Sequence, residues 1–205
     1  GIPLHLREDR RHIRDSDLAR LIDAISAPIN LEMAVTDEML GIALKTKPHA
    51  VCLVPERRQE VTTEGGLDVA AHVAVLTPFV ARLRDAGIRV SLFIDPDESQ
   101  VEAAARIGAP VVELHTGTYA EASNTARPME LERLQRVAHA VQTARIECHA
   151  GHGLTFTNVV DVAAIPEVAE LNIGHFLVGE AIFLGLPQAI TLMKDAIAQG
   201  AARRR

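Results

Sequence analysis

The stretch RVSLFIDPDESQVEAAARIGAPVVELHTG, residues 89–117, decides the fold class. It begins with the apolar run 89–95 and ends with the apolar run 110–116, and both are typical of strands buried on two faces. Between them, residues 97–107 carry a helical pattern that ends at Gly108, a residue type common at helix C-termini. A strand, a crossover helix and a second strand in this order predict two parallel strands.

The same alternation runs along the whole chain, which predicts an α/β protein. Strands are predicted at 2–6, 29–34, 50–55, 89–95, 110–116, 146–150 and 171–179. Helices are predicted at 15–26, 36–46, 68–86, 97–107, 128–145, 157–165 and 187–199. No low-complexity linker interrupts the pattern, so the 205 residues are predicted to form one domain, with 201–205 as a disordered tail.

Two α/β architectures fit repeated strand–helix units, an open doubly wound sheet and a (β/α)8 TIM barrel. No G-x-G-x-x-G motif follows the first strand, which disfavours the dinucleotide-binding form of the open sheet. Polar residues follow nearly every predicted strand, and a barrel keeps its active site at the carboxyl ends of its strands. We therefore predict a TIM barrel with seven of its eight βα units in this chain, the first unit being absent.

Bulk composition excludes several classes of function. The net charge of −6 and the pI of about 5.8 argue against a nucleic-acid-binding protein, which usually carries a basic domain. The sequence contains no apolar run of about 18 residues, so a membrane span is not expected. Cys52 and Cys148 both lie in apolar runs and are predicted to be buried thiols in a reducing compartment, which indicates a cytoplasmic protein.

Three of the predicted strands carry candidate active-site residues, inside the strand or directly after it. His5 and Arg7 lie two residues apart, so their side chains point in the same direction. Glu32 and Glu113 are single carboxylates in otherwise apolar strands, and an unpaired buried carboxylate is costly. Each is either half of an internal salt bridge or a general base whose pKa is raised by burial. Their occurrence on two separate strands favours an active site.

Two glycine-containing segments carry histidines near later strands. Gly151 and Gly153 flank His152, which is either an acid/base residue or a histidine of a turn. Gly174 and His175 lie in the predicted last strand, before a short apolar segment that predicts an extra helix. In barrels, the N-terminus of such a helix commonly binds phosphate.

The polar loop 55–68 is long for a βα connection. It offers the side chains of Arg57, Arg58, Thr62 and Thr63 to an anion, although a solvated loop explains the same composition. No H-x-x-x-H or H-E-x-x-H pair occurs in the sequence, so a zinc site is disfavoured.

Seven motifs together resemble one family. They are HLREDRRHI, NLEMA, VPERRQEVTTEGGLD, VSLFID, ELHTG, AGHGL and ELNIGH, in this order between His5 and His175. They resemble the pyridoxine 5′-phosphate synthase family of deoxyxylulose-phosphate-dependent vitamin B6 biosynthesis. The resemblance implies a TIM barrel that condenses 3-amino-2-oxopropyl phosphate with 1-deoxy-D-xylulose 5-phosphate, without a metal or organic cofactor, to form pyridoxine 5′-phosphate, phosphate and water.

The resemblance also implies roles for individual residues. His5 and Glu32 match proton-accepting residues of the family, His152 matches its proton donor, and Glu113 matches a residue that stabilises the transition state. The residues that match the deoxyxylulose phosphate site are Arg7, His12 and Thr62. Those that match the site for the aminoketone phosphate are Gly153, Gly174 and His175. The family further implies a homo-oligomer.

The chain departs from the family pattern in three places. The opening strand and arginine-bearing loop of the family are absent, His149 stands where Asn is common, and Glu180 stands where Arg is common. The alternatives are therefore an inactive, phosphate-binding fragment or another sugar-phosphate lyase or isomerase. A Schiff-base aldolase is disfavoured, because every lysine lies in or beside a predicted helix.

Overall fold

The computed structural model describes residues 1–56 and 65–204 and has an α/β fold. Seven strands follow the sheet order β1-β2-β3-β4-β5-β6-β7. The strands are β1 (Ile2–His5), β2 (Ile29–Met33), β3 (Ala50–Leu53), β4 (Arg89–Ile94), β5 (Val111–His115), β6 (Glu147–Gly151) and β7 (Val168–Asn172). The helices are α1 (Asp15–Ala24), α2 (Asp37–Thr46), α3 (Val69–Asp85), α4 (Glu98–Ile107), α5 (Gly117–Glu121), α6 (Arg127–Thr143), α7 (Val159–Ala163), α8 (His175–Leu184) and α9 (Leu186–Ala201).

The predicted class of parallel α/β protein is confirmed. Strands β1 to β4 pair in parallel, and so do β6 and β7. By contact density the chain divides into two compact units, Gly1–Asp95 with Ser99–Val112, and Pro96–Glu98 with Glu113–Arg205. The described residues hold seven strands, the number predicted for this chain. Closure of these strands into one TIM-barrel domain together with an eighth βα unit stays a prediction.

In the first unit, β2 shows how the strands divide their side chains between two faces. Leu31 and Met33 are fully buried, whereas Asn30 and Glu32 alternate with them and are half-buried. Each such buried apolar side chain stabilises the fold by about 1.5–3 kcal/mol. The parallel register sets His5 of β1 opposite Glu32 of β2. The buried apolar side chains therefore hold β2 in place, and on the opposite face of the strands the side chains of His5 and Glu32 lie next to each other.

The second unit is built on β6 and β7 with α7, α8 and α9 packed together. The register of β6 with β7 shifts between Cys148 and His149. Both cysteines of the chain, Cys52 in β3 and Cys148 in β6, are buried and form no disulfide bond, as the sequence predicts. Burial, with a smaller effect of the Glu167 carboxylate, raises the pKa of the Cys148 thiol to about 12.

The prediction of a strand over 171–179 is wrong. The strand β7 ends at Asn172, and α8 begins at His175 with Gly174 as its N-cap residue. Gly174, His175 and Gly179 therefore belong to a helix or its start. A short apolar run fits a buried strand and an apolar helix equally well, and periodicity alone does not separate them.

The predicted disordered tail also needs correction. The last helix continues to Ala201, and Arg203 Nη1 lies 3.2 Å from Asp161 Oδ1. The guanidinium of Arg204 donates hydrogen bonds to the carbonyl oxygens of Ala163 and Val168. Residue 205 lies outside the described residues, so that part of the prediction is untested. Of the helices in the described part of the chain, none is long and apolar enough to span a membrane.

Candidate active site

The first unit brings His5 together with two carboxylates. Nε2 of His5 lies 2.9 Å from Oε1 of Glu56, and Nδ1 of His5 lies 3.8 Å from Oε2 of Glu32. We call His5, Glu32 and Glu56 the His5 cluster. His5 ends β1, Glu32 lies in β2, and Glu56 follows β3, so three neighbouring parallel strands supply one residue each. An imidazole between two carboxylates can take up and release protons.

Glu32 is a largely buried carboxylate of the His5 cluster. Burial raises the pKa of its carboxyl group, and the nearby His5 opposes this shift. A raised pKa brings a glutamate closer to the pH at which a general base works best.

The loop that follows β1 carries most of the N-terminal charge. Arg7 Nε donates to Asp9 Oδ1 at 3.1 Å, and this bond raises the pKa of the guanidinium. Arg10 donates to the Arg7 carbonyl and forms ion pairs with the carboxylates of Asp15 and Glu38. Arg10 therefore supports the loop. Arg7 lies next to the His5 cluster in sequence and keeps a partly exposed side chain.

The two other residues predicted to bind deoxyxylulose phosphate are His12 and Thr62. His12 is exposed in the same loop, and it makes no hydrogen bond or ion pair with the His5 cluster in the part of the chain that the structure describes. Thr62 lies outside the described residues, as do Arg57, Arg58 and Thr63.

The second unit holds Glu113 in a tightly enclosed position. Glu113 is 5% exposed, and Asn172 Nδ2 donates to its Oε2 at 2.8 Å. A side chain at Gly151 would collide with Glu113 Oε1 and with the carbonyl oxygen of Asn172. Gly151 is therefore required because only a residue without Cβ leaves room for the carboxylate, a role that the sequence analysis did not assign to it.

The backbone at His152 has an unusual conformation. Its φ of 82° and the φ of 76° at Gly153 both lie in the left-handed region. The Thr116 hydroxyl donates to the carbonyl oxygens of Gly151 and His152, at 2.7 Å and 2.5 Å. A strained non-glycine residue held by specific hydrogen bonds is typical of functional sites.

The rings of His152 and His115 lie edge to face, with centroids 4.9 Å apart. Burial lowers the pKa of His152 most, and the neighbouring positive charge of His115 lowers it further. The imidazolium of His152 is consequently a stronger acid than an ordinary histidine, which suits a proton donor.

This arrangement yields a prediction for His115→Gln. The substitution should raise the pKa of His152 towards its usual value, because it removes a like charge. The measurement is an NMR titration of the His152 ring protons. His139→Gln is the control, since His139 lies on α6 and is exposed. An unchanged His152 titration in His115→Gln would mean that burial alone sets the shift.

Two of the residues predicted to bind the aminoketone phosphate lie at the start of α8. Gly174 and His175 are exposed, and Gly174 has no side chain to cap the helix.

Among the described residues, no group of three or more His, Cys, Asp or Glu side chains is placed to hold a metal ion.

Three residues of these clusters were missed or left unassigned by sequence reasoning. Asn172 ends β7, His115 ends β5, and Glu56 lies three residues after the end of β3, so a position at or just after a strand end was an available signal. Glu56 was overlooked because it opens a charged loop that reads as solvated. Asn172 was overlooked because the last strand was placed too late in the chain.

Comparison with known proteins identifies the family. Residues 1–199 match the model of a family described as the pyridoxal phosphate biosynthesis protein PdxJ. The chain belongs to the PdxJ family. Pyridoxine 5′-phosphate synthase of Zymomonas mobilis is 59% identical over 95% of this chain and 76% of that protein. The synthase of Rhodospirillum rubrum is 58% identical over 98% of this chain and 82% of that protein.

Solved structures outside the PdxJ family share the fold alone. The flavin-binding domain of baker's yeast flavocytochrome b2 matches 96% of this chain and 55% of its own, with a TM-score of 0.63 and 12% identity. The tryptophan synthase A-subunit of Pyrococcus furiosus matches 90% of this chain and 71% of its own, with a TM-score of 0.54 and 17% identity. At these identities the likeness says nothing about activity.

Proposed function

We propose that the protein condenses 3-amino-2-oxopropyl phosphate with 1-deoxy-D-xylulose 5-phosphate to form pyridoxine 5′-phosphate, phosphate and water. Support comes from membership of the PdxJ family and from relatives with 58–60% identity that carry the name of this synthase. The single structural observation that carries the proposal is His5 beside Glu32 on adjacent strands.

The chemistry of this reaction explains why several acid/base groups are needed. An amine and a ketone condense to an imine, phosphate leaves, water adds, and an aldol-type step with a further loss of water closes the ring. Each of these steps moves a proton on or off carbon, oxygen or nitrogen. A set of positioned acids and bases serves such a sequence better than one nucleophile.

In the first unit, His5 and Glu32 are proposed to accept protons. Arg7, His12 and Thr62 are proposed to hold the deoxyxylulose phosphate. Arginine near a phosphorylated substrate is expected even in an acidic protein, because local charge rather than net charge binds the anion.

In the second unit, His152 is proposed to donate a proton, and Glu113 to stabilise charge in the transition state. The lowered pKa of His152 supports the first role, and the bond from Asn172 that holds Glu113 supports the second. Gly153, Gly174 and His175 are proposed to contact the phosphate of the aminoketone. The free backbone N–H groups at the start of α8 favour an anion.

Further properties are proposed on the family resemblance. They are a TIM barrel as a single domain with seven of the eight βα units in this chain, a homo-oligomeric assembly and a cytoplasmic location. The departures at His149 and Glu180 have no assigned consequence for these proposals.

The proposed function is tested by incubating the protein with both substrates. Fluorescent pyridoxine 5′-phosphate should form only when both are present, with release of phosphate. Omitting either substrate is the control. No product under any condition would overturn the proposal and favour an inactive fragment.

The role of His152 is tested by His152→Asn. Asparagine still donates hydrogen bonds but does not transfer a proton, so kcat should fall by about tenfold to 100-fold while KM changes less. Steady-state kinetics with both substrates measure this. A change confined to KM would make His152 a binding residue.

A further inference from the structure

The two carboxylate oxygens of Glu56 contact groups that differ in kind. Its Oε1 lies 2.9 Å from His5 Nε2, and its Oε2 accepts the backbone N–H of Glu8 at 2.9 Å. Its side chain is 6% exposed, whereas those of His5 and Glu32 are 29% and 28% exposed. A carboxylate this deeply buried needs partners for both oxygens, and Glu56 has them.

These contacts determine which ring nitrogen of His5 carries the proton. An ionised carboxylate only accepts hydrogen bonds, so Nε2 of His5 must be the donor towards Glu56. In the neutral ring, Nδ1 is then without a proton and has a free lone pair. This nitrogen is the one 3.8 Å from Glu32 Oε2.

We propose that Glu56 is a positioning residue that holds His5 in the Nε2–H tautomer and thereby makes Nδ1 the atom that accepts a proton. The inference rests on the proposed function for its kinetic consequence, but the tautomer itself does not depend on that function. Through the Glu8 N–H, the same carboxylate also fixes the loop that carries Arg7. One buried side chain thus orders both the base and the start of its neighbouring loop.

Glu56→Gln separates this role from that of a simple loop anchor. The Glu8 backbone N–H can only donate, so the amide oxygen of Gln must turn to it. The amide NH2 then faces His5 Nε2, which is forced to accept, and the ring proton moves to Nδ1. The variant therefore keeps the loop contact and reverses the tautomer.

The experiment uses protein with 15N-labelled histidine rings, at a pH about two units above the ordinary pKa of histidine. Long-range 15N–1H correlation spectra should show the Nε2–H form of His5 in the unaltered protein and the Nδ1–H form in Glu56→Gln. In the synthase assay, kcat should fall by about tenfold to 100-fold with little change in KM, as for loss of a residue that orients a catalytic group.

Glu38→Gln is the matched control. Its carboxylate also contacts the β1–α1 loop, through Arg10, but it is exposed and does not touch His5. This variant should keep the His5 tautomer and the kcat of the unaltered protein.

An Nδ1–H tautomer in the unaltered protein would overturn the inference, and this measurement needs no variant to fold. An unchanged tautomer or unchanged kcat in a folded Glu56→Gln would overturn it as well. If the unaltered protein makes no pyridoxine 5′-phosphate, the proposed function fails, while the spectra still decide the role of Glu56.

Discussion

Glu32→Gln should lower kcat by about 100-fold or more while the protein stays folded. The amide is nearly the same size as the carboxyl group but does not accept a proton, so the variant removes a general base without opening a cavity. The measurement is steady-state formation of pyridoxine 5′-phosphate, with circular dichroism to verify the fold. Glu102→Gln is the matched control, because Glu102 is an exposed residue of α4. Unchanged turnover in Glu32→Gln would remove Glu32 from the catalytic residues.

The same variant has an expected effect on stability. Because burial raises the pKa of Glu32 above its ordinary value of 4.5, the folded protein binds the proton more tightly than the unfolded chain does. The stability from this group is present below the unfolded pKa and is lost as the pH rises through the folded pKa. Glu32→Gln should therefore reduce the loss of stability over that interval. Denaturant unfolding at a series of pH values measures it, and a steeper loss in the variant would contradict this assignment.

Gly151→Val should destabilise the protein by about 1–3 kcal/mol and remove most of its activity. The new side chain would collide with Glu113 Oε1 and with the carbonyl oxygen of Asn172, both of which are held in place. The Glu113 carboxylate must then move and lose the hydrogen bond from Asn172. Urea unfolding and the synthase assay measure the two effects.

Gly41→Ala is the control for Gly151→Val. Gly41 lies in α2, and a Cβ at this position would meet no atom within 4 Å. Alanine favours helix, so this variant should be as stable as the unaltered protein or up to about 1 kcal/mol more stable. Equal stability and activity in Gly151→Val would show that the strands around Glu113 rearrange freely.

The fold was predictable where local patterns agree with one another. The stretch 89–117 predicted β4, α4 and β5 nearly to the residue, because apolar runs, a helical pattern and Gly108 all indicate the same unit. The segment after Asn172 was misassigned because α8 is largely apolar and has no continuous polar face to reveal its period. Local sequence patterns therefore predicted the repeating strand–helix units. The prediction was wrong for the segment after Asn172, where the helix has no amphipathic pattern.

The candidate site was predictable only in part. His5, Glu32 and Glu113 stood out because each interrupts an apolar strand, and His152 because glycines flank it. Glu56 and Asn172 owe their roles to partners 51 and 59 residues away along the chain. Such pairs depend on strand register, which no local pattern contains.

The buried thiols have a practical consequence for spectroscopy. With its pKa near 12, Cys148 holds almost no thiolate at neutral pH, and Cys52 is equally enclosed. Maleimide reagents should therefore leave the native cysteines unmodified in the folded protein. A cysteine introduced on the surface of each compact unit would take up spin labels selectively, and pulsed electron paramagnetic resonance would then measure the separation of the two units without any cysteine being removed.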